Sequence, residues 1–107
     1  MTLSELLKEL KGIDPETYEA LRNYLIYCSD DEALTVNLLE SRNNILVMDA
    51  LQGCIQRACE KRGWCFMVCN HIADVSTEKD IYDSEIHDYP AEALLAAYIA
   101  AVKEGRR

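Results

Sequence analysis

The run Trp64-Cys65-Phe66-Met67-Val68-Cys69-Asn70-His71-Ile72 constrains this chain more than any other segment. Trp64, Phe66, Val68 and Ile72 alternate onto one face, and Cys65, Met67 and Cys69 onto the other. A period of two with apolar residues on both sides predicts a strand buried on both faces, with helices covering each face of its sheet. Gly63 stops the element before it, because glycine accepts the left-handed backbone that ends a helix.

The flanking segments supply the helices. Asn43 or Asn44 caps the longest, in which Ile45, Met48, Leu51, Ile55, Ala58 and Cys59 recur at helical spacing. Lys61 and Arg62 suit its negative end. Pro90 opens the last helix, with a small-residue stripe of Ala93, Leu94, Ala97, Tyr98 and Ala101 able to lie close to a sheet. At the start of the chain Leu3, Leu6, Leu7 and Leu10 share a face, Thr2 with Glu5 forms a capping box, and Gly12 stops the helix. Asp14-Pro15-Glu16 starts another, lined by Tyr18, Leu21, Leu25 and Cys28. Ser29-Asp30-Asp31 ends it and can cap a third short helix. Residues 33–39 suit helix or strand, since Thr35 and Val36 are β-branched.

Ser76 to Lys79 reads as a turn, and Asp80 to His87 as a second, more polar strand at an edge or half exposed. Two strands alone are marginal. A third must come from residues 33–39 or from another copy of the chain, which leads to the expectation of a homodimer. The fold class is α+β: a helical N-terminal segment, residues 1–42, packed on a helix–strand–strand–helix core, residues 43–104. Together they make one domain, a small αβα layered sandwich.

A capped helix ending in Lys61-Arg62-Gly63-Trp64, an apolar strand beginning at that Trp, a polar strand, and the Ala-rich helix from Pro90 to Ala97 follow one another here. In this order residues 43–104 resemble the phage ABA sandwich domain, a small αβα layer fold of phage and prophage proteins. The resemblance implies a viral origin and that architecture. It carries no catalytic or ligand residue with it.

Charge narrows the partners. Eleven Lys and Arg stand against 19 Asp and Glu in 107 residues, a formal charge of −8. Such a chain is ill suited to a phosphate backbone or an anionic membrane surface. Residues 1–42 carry −5, residues 43–73 carry +1 and residues 74–107 carry −4. The densest stretch sets Asp74, Glu78, Asp80, Asp83, Glu85 and Asp88 against Lys79 alone. It reads either as a solvated face or as a surface for a basic partner. The start Met1-Thr2-Leu3-Ser4-Glu5 has no signal-peptide pattern, and no apolar run reaches the ~18 residues of a membrane span. A soluble, cytoplasmic protein is expected.

The five cysteines, Cys28, Cys54, Cys59, Cys65 and Cys69, then read as reduced thiols, mostly buried, rather than a disulfide framework. Cys65, Cys69 and His71 share a strand face, but a spacing of four along a strand separates sulfurs by ~13 Å, too far for one zinc. Cys69 with His71 or His87 and Asp88 has no nucleophile elbow or Gly-rich turn around it. No catalytic set, metal site or cofactor is expected.

Two binding surfaces remain. Asp80, Asp83, Glu85 and Asp88, with Tyr24 and Tyr27 as aromatic anchors, would meet a basic protein partner. Arg57, Lys61 and Arg62 beside Trp64 form the chain's one basic–aromatic cluster. They could take a small molecule or nucleotide at a dimer interface, although helix-end charges opposing the dipole are the stronger account of them. The preferred expectation is an acidic, non-enzymatic phage or prophage accessory protein acting by protein–protein contact, for example by inhibiting a basic host defence or regulatory target. A sequestering small-molecule binder is the alternative.

Overall fold

The computed structural model describes residues 1–24, 31–40 and 44–105. Helix α1, Leu3–Ile13, is set by the Thr2–Glu5 capping box, and its four leucines are buried. Asp14 serves two helices. Its N–H donates to the Leu10 carbonyl to close α1, and its carboxylate accepts the Thr17 N–H of α2, Pro15–Tyr24. Residues 33–39 resolve as helix within α3, Asp31–Glu40, with Leu34 and Leu38 buried. Their β-branched residues do not outweigh two leucines four apart that reach the core on one helical face. Leu25 and Cys28, expected on the inner face of the second helix, lie outside the described residues.

Helix α4, Ile45–Lys61, is capped by Asn44, whose side chain accepts the Leu46 N–H at 3.0 Å. Its buried face is Leu51, Cys54, Ile55, Ala58 and Cys59. Ile45, expected on that face, is 73% exposed, because the first turn runs past the end of the core. Gly63 stops the chain after α4 with φ of 72°, the left-handed conformation that favours glycine.

The nine-residue apolar run is corrected by the structure: it is not one strand. It splits into β1, Cys65–Val68, and the approach to β2, Ala73–Ser76, which pairs antiparallel with β1. Cys69 and Ile72 exchange both backbone hydrogen bonds around a two-residue turn, Asn70-His71. That turn carries Ile72 to the face opposite Trp64, Phe66 and Val68. Strand β3, Ile81–Asp83, pairs antiparallel with β2, so the order is β1-β2-β3. The third strand therefore comes from within the chain, and the argument that a second copy must supply one falls away. The second strand is also shorter than Asp80–His87.

Helix α5, Pro90–Gly105, is buried nearly all round and packs on α1, α4 and all three strands. Its small residues permit this close approach, as the Ala-rich stripe implied. The fold is thus α+β, with helices packed on an antiparallel sheet. α5 meets the Phe66–Val68–Ala73–Val75 side of the sheet, and α1 packs behind α5. The other side is not covered by the described helices. Met67 is 59% and Ile81 60% exposed, and Cys65 and Cys69 are exposed too. Burial on both faces of the apolar run was expected, but its odd-numbered residues face outward. No helix among the described residues is long and apolar enough to cross a membrane.

Candidate functional site

Two surfaces bring the candidate residues together. The first is a cleft of about 540 Å³ between α2 and α4. Arg57 and Lys61, one helical turn apart on α4, and the C-cap residue Arg62 line it on one side, over Cys54 and Ala58. Glu16 and Glu19 line it from α2, so a cationic wall faces an acidic one. Lys61 Nζ reaches across to Glu16 at 3.8 Å, an exposed pair of little energetic consequence. Trp64 does not line this cleft. It lies against Arg62, whose guanidinium sits 5.1 Å from its ring centroid and 5.8 Å from that of Tyr98.

At the inner end of the cleft stands a polar network that joins three helices. The Tyr98 hydroxyl of α5 donates to Asp14 Oδ2 at 2.5 Å, and Arg62 Nε donates to the same hydroxyl at 3.0 Å. Thr17 Oγ1 donates to Asp14 Oδ2 at 2.6 Å, and Arg62 Nη2 lies 3.5 Å from it. Burial works to raise the Asp14 pKa. The hydrogen bonds from Thr17 and Tyr98 and the Arg62 charge outweigh it, so the carboxyl stays below the ordinary range. Burial, and donation to Asp14, push Tyr98 up to about 12, which keeps its hydroxyl a donor. Burial opposes the Arg62 charge, but Tyr98 and Asp14 more than offset it and raise that pKa. Tyr98 and Arg62 thus keep their protons while Asp14 is held in its ionised form. The arrangement suits a structural clamp, not an acid–base pair poised to exchange protons.

The cysteines divide by exposure. Cys54 and Cys59 are buried, and burial raises both thiols, Cys59 to about 12. They are the inert packing thiols that the sequence suggested. Cys65 and Cys69, expected among them, are exposed. His71 sits in the hairpin turn with Nδ1 2.9 Å from the His87 carbonyl oxygen, and His87 N–H donates to the His71 carbonyl at 2.9 Å. Both histidines thus tie the β1–β2 turn to the segment after β3. Among the described residues, no three His, Cys, Asp or Glu side chains converge as a metal ion requires.

The second surface is the open face of the sheet. Cross-strand register places Cys65, Ser76 and Ile81 in one row and Met67, Asp74 and Asp83 in the next. Cys69 and Ile72 complete a third. Asp74 and Asp83 are direct cross-strand partners, an arrangement of like charges that weakens a sheet. Neither has an ion-pair partner among the described residues.

The other expected acidic contacts are placed differently. Asp80 is spent on its own turn: its Oδ1 accepts the Ile81 N–H at 2.8 Å and its carbonyl accepts the Thr77 N–H at 2.9 Å. Glu85 is 3.1 Å from the N-terminal ammonium. Asp88 is exposed just ahead of α5. Tyr24 ends α2, and its side chain and Tyr27 lie outside what is described.

Sequence reasoning counted Asp74 in the acidic stretch but gave residues 73–75 no strand, so it missed the pairing of Asp74 with Asp83. It also missed the Asp14–Tyr98 contact, which spans 84 positions. A tyrosine in an otherwise Ala- and Leu-lined stripe was the available signal, since a buried tyrosine hydroxyl needs a partner. No protein-family model matches this chain, and neither a curated protein nor a solved structure matches it.

Proposed function

We propose that this chain is a non-enzymatic protein-interaction module that takes a basic partner on the open face of its sheet. One observation carries the reading: Asp74 and Asp83 stand side by side in a row that begins at the exposed Met67, with the exposed Ile81 in the next row. Two adjacent carboxylates without a cation cost sheet stability. A partner's Arg or Lys would relieve that cost, and Met67, Ile72 and Ile81 would give it apolar contacts around the charge. The Asp14–Tyr98–Arg62 clamp fits this reading, because its shifted groups rigidify the scaffold without presenting a reactive atom. The resemblance of residues 43–104 to the phage ABA sandwich domain suggests a phage or prophage setting for the contact. A host defence or regulatory protein with a basic surface is then the fitting class of target.

The test is an array of peptides carrying paired Arg or Lys residues flanked by apolar ones, probed with labelled protein. Binding should weaken steeply with salt, and D74N/D83N should lose most of it. E78Q, on the turn away from the open face, serves as the control. Equal binding by D74N/D83N and the unaltered chain would reject the assignment.

A further inference from the structure

The same sheet has an edge as well as a face. β1 is the outer strand, and no described strand lies beyond it. Hydrogen bonding around the hairpin decides which of its backbone groups are free. Cys69 and Ile72 form a hydrogen-bonded pair, so the pattern alternates inward from there. Met67 is bonded to Asp74, and Val68 and Phe66 face the other way. Ala73, opposite Val68, confirms this parity, since its N–H and C=O turn to Ser84 on the far side. The N–H and C=O groups of Phe66 and Val68 therefore point off the free edge of the sheet.

Among the described residues α4 packs against β1 but makes no backbone hydrogen bond to it, and the edge lacks the side chains that usually protect one. Native sheets guard their edges with Lys, Pro, bulges or inward charges. The sequence Cys65-Phe66-Met67-Val68-Cys69 contains none of these residues. The opposite edge, Ile81-Tyr82-Asp83, carries Asp83 and follows Asp80. Charge also permits a second copy at β1, which lies outside the acidic flanks. The chain carries −8 in all, but residues 43–73, which contain β1, carry +1.

We propose that β1 pairs antiparallel with β1 of a second copy, about a two-fold axis through Met67, to make one six-stranded sheet. A two-fold interface requires a strand complementary to its own reverse. Centred on Met67, Phe66 lies opposite Val68 of the second copy, and Val68 opposite its Phe66. All four outward N–H groups then find carbonyls. Centred on Phe66 instead, Val68 would face Trp64, whose N–H already donates to the Cys59 carbonyl at 2.9 Å. On the exposed face the outward-pointing residues read Cys-Met-Cys, the same in either direction. Met67 meets Met67 of the second copy, and each Cys65 meets a Cys69. These are non-hydrogen-bonded pairs with Cα atoms ~4.5 Å apart, within the range a disulfide accepts. The dimer would set two Asp74–Asp83 pairs on one continuous face, but its existence does not depend on what that face binds.

Sedimentation equilibrium of the full reduced chain, over a concentration series, tests the association directly. A monomer–dimer equilibrium that tightens with added salt is expected, since salt screens the long-range repulsion between acidic copies. M67K should weaken it by at least about tenfold, because two Lys would then be directly opposed. I81K, on the same face but the far strand, should leave it intact.

The register is read by diamide, whose N=N bond takes two electrons and two protons from each pair of thiols as their S–S bond forms. The expected product is a dithiothreitol-reversible dimer with Cys65–Cys69 linkages between isotopically distinct chains, lost in C65S and in C69S. M67C in a C65S/C69S background should cross-link to itself, a readout that survives if the lysine variant folds poorly. A chain that stays monomeric throughout would overturn the proposal. So would a dimer broken as readily by I81K as by M67K, or cross-links joining Cys65 to Cys65.

Discussion

Tyr98→Phe isolates the clamp. The substitution keeps the buried ring and its contact with Trp64, whose centroid is 6.0 Å away, and removes only the hydroxyl. Two hydrogen bonds go with it. The one donated to the Asp14 carboxylate has a charged acceptor in a buried setting, a class worth ~1.5–3 kcal/mol. The one from Arg62 Nε is replaceable by water, because the Arg62 side chain is 40% exposed, and should contribute only about 0.5 kcal/mol. Asp14 keeps its two bonds from Thr17, so it is not left orphaned.

The expected loss is thus ~2–3 kcal/mol, or roughly 10–20 °C in Tm for a domain of this size. Urea unfolding followed by circular dichroism reads it as a lower midpoint at unchanged slope. The pH dependence gives a second signature. Asp14 is held below its ordinary value of 3.8 in the folded state, so its contribution is complete above that value and fades as pH falls through the folded pKa. The gap between the two proteins should be constant from neutral pH down to about 4 and close below it. A loss under ~0.5 kcal/mol at neutral pH, or a gap that persists unchanged into strong acid, would refute the clamp.

Asp83→Asn should raise stability slightly, by about 0.3–0.5 kcal/mol at low salt, and the gain should vanish at high salt; urea midpoints at two ionic strengths check this. Gly63→Ala places a side chain at φ of 72° with open space around it, so only backbone strain is felt, and a loss of ~1 kcal/mol is expected in thermal unfolding. Ellman's reagent should label Cys65 and Cys69 quickly in the folded protein, while Cys54 and Cys59, buried and with raised pKa, react only on unfolding. Peptide mapping after timed quenching distinguishes the four.

The helices at either end were legible because their signals are local. Thr2 with Glu5, Asp14 before Pro15, and Pro90 ahead of an Ala-rich stripe each act within one turn of the chain. Sheet layout was harder, since it depends on where an apolar run bends. Asn70-His71 carries no glycine and no proline, so Asn70 alone, a common turn residue, marked the turn that splits the run. Missing it ran the first strand on to Ile72, left residues 73–75 without a strand, and made a third strand from residues 33–39 or a second copy look necessary. The same error buried Cys65, Met67 and Cys69, whose outward facing is set by α5 covering only the other side of the sheet. The basic–aromatic cluster was half legible. Helical spacing put Arg57, Lys61 and Arg62 near one another, but Trp64, beyond Gly63, follows Arg62 rather than the cleft.

Local chemistry along the chain accounts for the α+β composition of this protein, its helix caps, its acidic flanks around a near-neutral middle, and the alternation that separates the two faces of β1. These follow from backbone chemistry and side-chain period, which act over a few residues. The tertiary structure alone decided which face of the sheet stays open, that Asp74 and Asp83 meet there, and that Asp14, Arg62 and Tyr98 share one hydrogen-bonded network. Those outcomes depend on residues up to 84 positions apart being brought into contact, and only the packing of α5 against the sheet and the other helices does that.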